Sequence, residues 1–393
     1  MAKREYLQAM RERYFRAKTR PQKSSLLDEI CATTGYDRKY VTRQLAKRRP
    51  GRPTRSKRGR KSVYQDPLLI KPLKEIWKTS NYPCSKRLKA MVPIWLPKYE
   101  AMYGRLEESE RERILTISAA TIDRVLYRTR LQNSGRGKTT TKPGGLLRAQ
   151  IPIQTGQWEE TRPGFLEADT VAHCGGSMAG EFVFTLDCVD IATDWSEQRA
   201  IWNKSAAQVV KQMIEIERVL PFPLLGFDAD NGSEFINEQL VKHFLSRKRQ
   251  VRFTRSRAYR KNDNAHVEQK NWTHVRQWIG YDRLERPEAV DLLNDLYANE
   301  WSLYHNLYGA SMKLVSKKRV GAKVIKQHGK PKTPYERVME SNAVSDYKKR
   351  QLQQLLDDTN PFILRKLIDK KLRRLFQLCY SPPTSEGDPQ DVG

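Results

Sequence analysis

Cysteine is scarce in this 393-residue chain: five residues, Cys31, Cys84, Cys174, Cys188 and Cys379, none in a CxxC pair. That spacing argues against a zinc finger and against a disulfide framework. His173 beside Cys174 has no second His or Cys at ligand spacing, so a strand end is the expected reading and no zinc is expected. Long apolar runs are also missing, which excludes a helical membrane span and predicts a soluble protein with no membrane partner. The first residues, MAKREYLQAMRERYF, carry no hydrophobic signal core, so a cytoplasmic location is expected. Acidic residues are few, 45 against 73 Lys and Arg, for a net charge of +28. An excess of that size points to a polyanionic partner, above all nucleic acid.

The charge is uneven. Residues 1–61 hold 20 Lys or Arg and five Asp or Glu, a net of +15. Within residues 1–47, Leu26, Leu27, Ile30 and Cys31 recur at helical spacing. Gly35 is placed to end that helix, and Asp37 to cap the next. Val41 and Leu45 give the second helix an inner face and leave Arg38, Lys39, Thr42 and Arg43 outward. This is a helix-turn-helix arm whose second helix is expected to enter the major groove of double-stranded DNA. Residues 48–62 are almost devoid of apolar side chains and read as a basic linker. Arg52, between Gly51 and Pro53, resembles the core of an AT-hook, which lays arginine in a narrow minor groove; a plain basic tether would look similar.

Residues 63–130 predict a second helical DNA-binding domain. Asp66-Pro67 opens a helix, and Ser118 caps a later one that carries Ile122, Val125 and Leu126. Residues 131–160, rich in Gly, Thr and Ser, read as a linker. From 161 to 285 the texture becomes α/β. FLEADTVAH, EFVFTLDCVD and WSEQRAIWN predict an antiparallel meander. Then follow a helix (SAAQVVKQMIEIERVL), a strand (LLGFDAD), a helix, a strand (VRFTRS) and a long helix (NAHVEQKNWTHVRQWIG). That order predicts a mixed five-stranded sheet. Residues 286–380 predict a basic, helical and mixed C-terminal region with small strands inside SMKLVSKKRVGAKVIKQHGKPKTPYERV, and 381–393 a disordered tail.

Three carboxylates occupy special places. Asp169 lies inside the first strand, where a carboxylate is costly unless it is paired or holds a metal. Asp230 ends the fourth strand, and Glu268 lies on the last long helix. Alternation puts Asp228 on the face of Asp230, so geometry alone leaves the two as competitors. Three convergent hard-oxygen ligands suit Mg²⁺ or Mn²⁺. Two such ions can serve both the attacking and the leaving oxygen of a phosphodiester. Arg260, Lys261, Lys270 and Arg276 are candidate phosphate contacts. Trp272 and Trp278 are expected in the core.

The segments ADT (Asp169), DNGSEF (Asp230 to Phe235) and NDNAHVEQKNW (Asn262 to Trp272), with 37 residues between Asp230 and Glu268, resemble the catalytic core of the retroviral-integrase superfamily as carried by bacterial insertion-sequence transposases. The resemblance implies an RNase H-like fold with Asp169, Asp230 and Glu268 as catalytic and metal-binding residues, and two divalent ions per site. Asn231, Gly232 and Asn264 would support the site. It further implies a nucleoid-associated bacterial enzyme acting as a homo-oligomer. Such an enzyme cuts DNA at element ends and transfers the 3′-hydroxyl into target DNA. The His-His-Cys-Cys zinc domain of retroviral enzymes is missing. Two alternatives remain at this point: a non-catalytic DNA-binding regulator descended from a transposase, or an RNase H-like nuclease.

Overall fold

A computed structural model describes residues 2–46, 64, 66–133, 161–229, 235, 238–247, 251–255, 265–320 and 323–380. The chain divides into two units, Met1–Ser62 and Val63–Gly393.

In the first unit, α1 (Ala2–Arg16), α2 (Arg20–Thr34) and α3 (Arg38–Ala46) enclose a small core of Met10, Leu27, Ile30, Val41 and Leu45. Thr19 caps α2 in a capping box with Gln22, and Gly35 ends it at φ 69°, the left-handed geometry that glycine tolerates. The Asp37 carboxylate accepts from Lys39 N at 2.8 Å and starts α3.

The second unit begins with α4 (Pro67–Thr79), α5 (Ser85–Tyr103), α6 (Glu108–Thr116) and α7 (Ala119–Asn133). Asp66 caps α4 through Leu68 N at 3.0 Å, and Ser118 accepts from Thr121 N at 3.1 Å at the start of α7. These helices share their core with the C-terminal region. Trp95 of α5 is fully buried, donates through Nε1 to Tyr308 O at 3.0 Å, and meets Phe362 edge-on. Tyr304 and Arg365 both donate to Thr79 O, at 2.5 and 3.2 Å. The boundaries expected at residues 130, 160 and 285 therefore fall inside one compact unit. The linker expected at 48–62 and the tail at 381–393 lie outside the described residues, as do residues 134–160 of the linker expected at 131–160, whose first three residues belong to α7.

The sheet holds β1 (Phe165–Ala172), β2 (Val183–Asp190), β3 (Ser196–Trp202), β4 (Gly226–Ala229) and β5 (Arg252–Arg255) in the order β3-β2-β1-β4-β5. β1 to β3 form the antiparallel meander, while β4 joins β1 and β5 joins β4 in parallel. Parallel neighbours need a crossover, supplied by α8 (Ala206–Val219) and α9 (Glu238–Leu245). This is the mixed five-stranded, RNase H-like arrangement. β2 is buried along its whole length, consistent with coverage of both sheet faces.

α10 (Ala265–Lys270) continues through a π-helical turn (Asn271–Arg276) into α11 (Gln277–Ile279). Then come α12 (Glu288–Leu296), a second π turn (Tyr297–Trp301) and α13 (Ser302–Tyr308). The basic stretch forms an antiparallel hairpin, β6 (Leu314–Val320) with β7 (Lys323–His328). The chain closes with α14 (Pro334–Glu340), α15 (Asp346–Asp358) and α16 (Pro361–Tyr380). Among the described residues no helix is long and apolar enough to cross a membrane.

Candidate active site

The site is built where β1, β4 and α10 meet. Parallel pairing of β1 with β4 runs from Phe165↔Gly226 to Ala168↔Ala229. The next residue along β1 is Asp169; the residue bonded to Ala229 is Asp230, which lies outside the described residues, as do Asn231, Gly232, Arg260, Lys261, Asn264 and Arg52.

Asp169 is half-buried and firmly oriented. Its Oδ1 accepts from Thr170 N and its Oδ2 from Asn271 Nδ2, both at 2.7 Å. Asn271 stands three residues after Glu268, so this bond ties the helix of one candidate carboxylate to the strand of another. Glu268 itself is solvent-exposed.

A second tie comes from Glu167, two residues before Asp169 and buried. Its Oε2 accepts from His266 N at 3.0 Å and Val267 N at 3.1 Å. Those are amides of the first turn of α10, which have no acceptor within the helix. Burial pushes the Glu167 carboxyl up to about 8; the two amide bonds pull against that, and Asp228 and Asp194 add to it. Asp228 is the direct cross-strand neighbour of Glu167, is buried, and accepts from Thr254 Oγ1 at 2.6 Å. On the other side of β1, Asp187 lies opposite Asp169. Burial raises it to about 7, against a bond from Gln198 Nε2 at 2.8 Å. The face shared by β1, β2, β4 and α10 thus concentrates carboxylates in a protein of high positive charge.

Two expectations are corrected here. Lys270, read as a phosphate contact, is buried; its ammonium lies 3.4 Å from His274 Nε2, and burial lowers its pKa. The charges of Asp194 and Asp187 pull against that lowering. Trp272, read as core, is 46% exposed. Both follow from the helical period: Val267, Lys270, His274 and Val275 form the inner stripe, and Trp272 falls off it. Arg276 is occupied structurally, donating to Ala172 O at 2.7 Å and stacking on Tyr281. Trp278 packs against Trp301 and Tyr304, under the guanidinium of Arg365. In the N-terminal unit Arg38, Lys39, Thr42 and Arg43 are all exposed on α3; Arg38 is paired with Asp28 and Ser24 of α2, and the Thr42 hydroxyl donates to Arg38 O.

Glu167, Asp187 and Asn271 escaped the sequence reading. The signal for Glu167 and Asn271 was present: one shares a strand face with Asp169, and the other lies one helical turn beyond Glu268.

A carboxylate offers about four acceptor sites, so the bonds that orient Asp169 do not exhaust its capacity to hold a cation. Hard oxygens from Asp169 and Glu268 on adjoining elements fit Mg²⁺ or Mn²⁺ chemically. Among the described residues, which exclude Asp230, no three His, Cys, Asp or Glu side chains are grouped to hold a metal.

The chain is 40% identical over 336 residues to the uncharacterized protein y4rM of Sinorhizobium fredii (strain NBRC 101917 / NGR234), covering 85% of this chain and 94% of that one. The chain belongs to the y4rM family. No model of a protein family matches it. Among solved structures, this y4rM-family chain is similar to the HTLV-2 integrase catalytic core domain in complex with magnesium, at 12% identity and a TM-score of 0.28, over 38% of this chain and 91% of that one. The simian T-cell lymphotropic virus intasome in complex with PP2A regulatory subunit B56 gamma matches at 11% identity and 0.28, over 46% of this chain and 59% of that one. At these scores the fold of the y4rM-family core rests on its own strand order and register.

Proposed function

We propose that the protein is a DNA transposase of the kind carried by bacterial insertion sequences, with Asp169, Asp230 and Glu268 as its catalytic and metal-binding carboxylates. The observation that carries this reading is the pair of ties between β1 and α10. Asn271 bonds Asp169, and Glu167 holds the first turn of the helix that bears Glu268. Asp230 is bonded to Ala229, whose partner Ala168 precedes Asp169, so the chain order supports bringing the second carboxylate to the same strand end.

In this reading Asp169, Asp230 and Glu268 would hold two Mg²⁺ or Mn²⁺ ions. When bound, those ions lower the pKa of a nucleophilic water or hydroxyl and neutralise charge on the phosphodiester. The protein's own part is positioning. Asn271 fixes the rotamer of Asp169, Glu167 fixes the start of α10, and α3 of the N-terminal unit offers Lys39 and Arg43 to the DNA backbone. Arg52, Arg260 and Lys261 are further candidate contacts. Pairing two element ends calls for more than one copy, so a homo-oligomer on DNA is part of the proposal, as is a cytoplasmic, nucleoid-associated location.

The test uses the full chain, Mg²⁺, linear duplex carrying the DNA that flanks the gene, and a supercoiled target plasmid. Wild-type protein should cut the duplex ends and join them to the plasmid. Asp169→Ala, Asp230→Ala and Glu268→Ala should each abolish joining while retaining DNA binding. Joined product from any of the three would refute the triad; cut ends that are never joined would make the protein a nuclease.

A further inference from the structure

The β6–β7 hairpin has no role in the site just described, yet it is strongly cationic. From Met312 to Lys332 the chain holds eight Lys or Arg and no Asp or Glu. Every described side chain of the two strands is exposed, including Leu314, Val315, Val320, Val324 and Ile325 at 45–66%. The described contacts anchor the ribbon at its base. Lys313 Nζ donates to Ile191 O and Ala192 O at 2.5 and 2.8 Å, Gly329 N donates to Lys313 O at 2.9 Å, and Ser311 and Lys332 exchange backbone bonds. Ser311 Oγ and Arg337 both hold the buried Asp194. A fixed base under this ribbon leaves its described side chains exposed.

We infer that this hairpin is a DNA-binding arm whose two strands enter the major groove of duplex DNA. Three features choose DNA over a second copy of the chain. The ribbon carries only positive charge, so two copies set ribbon to ribbon would repel, whereas the phosphate backbone is complementary. Lys326 pairs with Lys317, the residue before Lys318, so Lys318 and Lys326 stand on opposite faces and each face of the ribbon carries a cation that can reach the phosphate backbone. The dimensions agree: paired strands lie about 4.8 Å apart, and the major groove, roughly 12 Å wide, admits a two-stranded ribbon. Ile325, on the same face as Lys318, then offers apolar contact to base edges such as the thymine methyl. This inference rests on reading the chain as a DNA transposase and adds to it a DNA-facing surface separate from the N-terminal arm.

The experiment measures binding of the full chain to a random-sequence duplex by fluorescence anisotropy between 50 and 300 mM salt, conditions chosen as roughly the range over which phosphate neutralisation dominates. The probe variant is K318Q/R319Q/K326Q, all exposed and outside the core. It should weaken binding at least about tenfold at physiological salt and flatten the log–log salt slope by about 0.9 for each phosphate it no longer neutralises. The variant should lose part of the guanine N7 protection from methylation that wild type gives. Wild-type protein that binds no DNA would refute the transposase reading and this inference with it. Wild-type binding that the triple variant leaves unchanged in affinity and slope would refute the hairpin alone. A V315S/V324S/I325S variant that sediments as a smaller species while keeping the wild-type salt slope would make the ribbon a protein contact, and would also overturn the proposal.

Discussion

Glu167 gives the sharpest test of how the site is assembled. Its Oε2 accepts from the amides of His266 and Val267, two residues and one residue before Glu268. In Glu167→Ala those amides lose their acceptor in a buried place. Each unsatisfied buried donor costs about 1–3 kcal/mol, so with two of them the first turn of α10 should loosen by roughly 2–6 kcal/mol. Glu167→Gln keeps a carbonyl in place. Because the native carboxyl is pushed up to about 8 and is largely protonated at neutral pH, the amide is also a close electrostatic match. That variant should stay within about 1 kcal/mol of wild type. The assay is hydrogen exchange of the peptide that spans 265–270, where each 1.4 kcal/mol of local opening is about a tenfold loss of protection. The Ala variant should lose at least tenfold, and the Gln variant little. DNA joining should follow the same order, since Glu268 rides on that turn. Equal protection in all three proteins, or equal loss in both variants, would refute the clamp.

Three further outcomes are expected. Asn271→Ala should reduce strand transfer by more than tenfold while leaving the melting temperature within a few degrees, because it frees Asp169 from a bond of 2.7 Å without opening the core; unchanged kcat would refute its positioning role. Trp95→Ala should destabilise the Val63–Gly393 unit by about 3–5 kcal/mol in one cooperative transition, since the ring sits between α5, α13 and α16; separate melting of residues 66–133 would show that they fold apart. Asp190 is fully buried, and burial raises its carboxyl from 3.8 to about 6 against bonds from Thr193 and Gly164. The folded form therefore binds the proton more tightly. Its contribution to stability is greatest below pH 4 and falls by about 3 kcal/mol as pH rises to 6. Asp190→Asn should flatten unfolding free energy across that window, and an unchanged slope would contradict the assignment.

The five strands and the helices between them were legible because each is short, apolar and bounded by turn residues, and a meander followed by two crossovers leaves few sheet orders open. Gly35, Asp37, Asp66 and Ser118 act as the caps their residue types predict. The union of helices 66–133 with residues 302–380 was not legible, because it depends on pairs such as Trp95 and Tyr308, more than two hundred residues apart. Lys270 and Trp272 depart from expectation for a different reason. The period from Val267 places Lys270 on the inner stripe and Trp272 off it, and here position outweighs residue type. A lysine can occupy that stripe because the charges of Asp194 and Asp187 favour its ammonium against the cost of burial.

The buried acids around Lys270 also position the candidate site. Asp169 and Glu268 alone would be two exposed or half-exposed carboxylates on a sheet and a helix with nothing to fix their spacing. Glu167, Asp187, Asp228 and Asp194 do not extend toward solvent; each is buried. Glu167 holds the amides of α10, Asp228 holds Thr254, and Asp194 holds Arg337 and Ser311. Asp187 and Asp194 also stabilise Lys270, which belongs to the same helix as Glu268. The helix is therefore tied to the sheet at its first turn by Glu167 and at Asn271 by Asp169, while the charges of the inner acids favour the buried ammonium of Lys270. Two ties at different points along the helix restrain α10 more than a single hydrogen bond could. The inner carboxylates are thus the scaffold that gives the outer ones a defined position, and removing an inner acid should cost activity through geometry even where no charge at the reacting phosphate is altered.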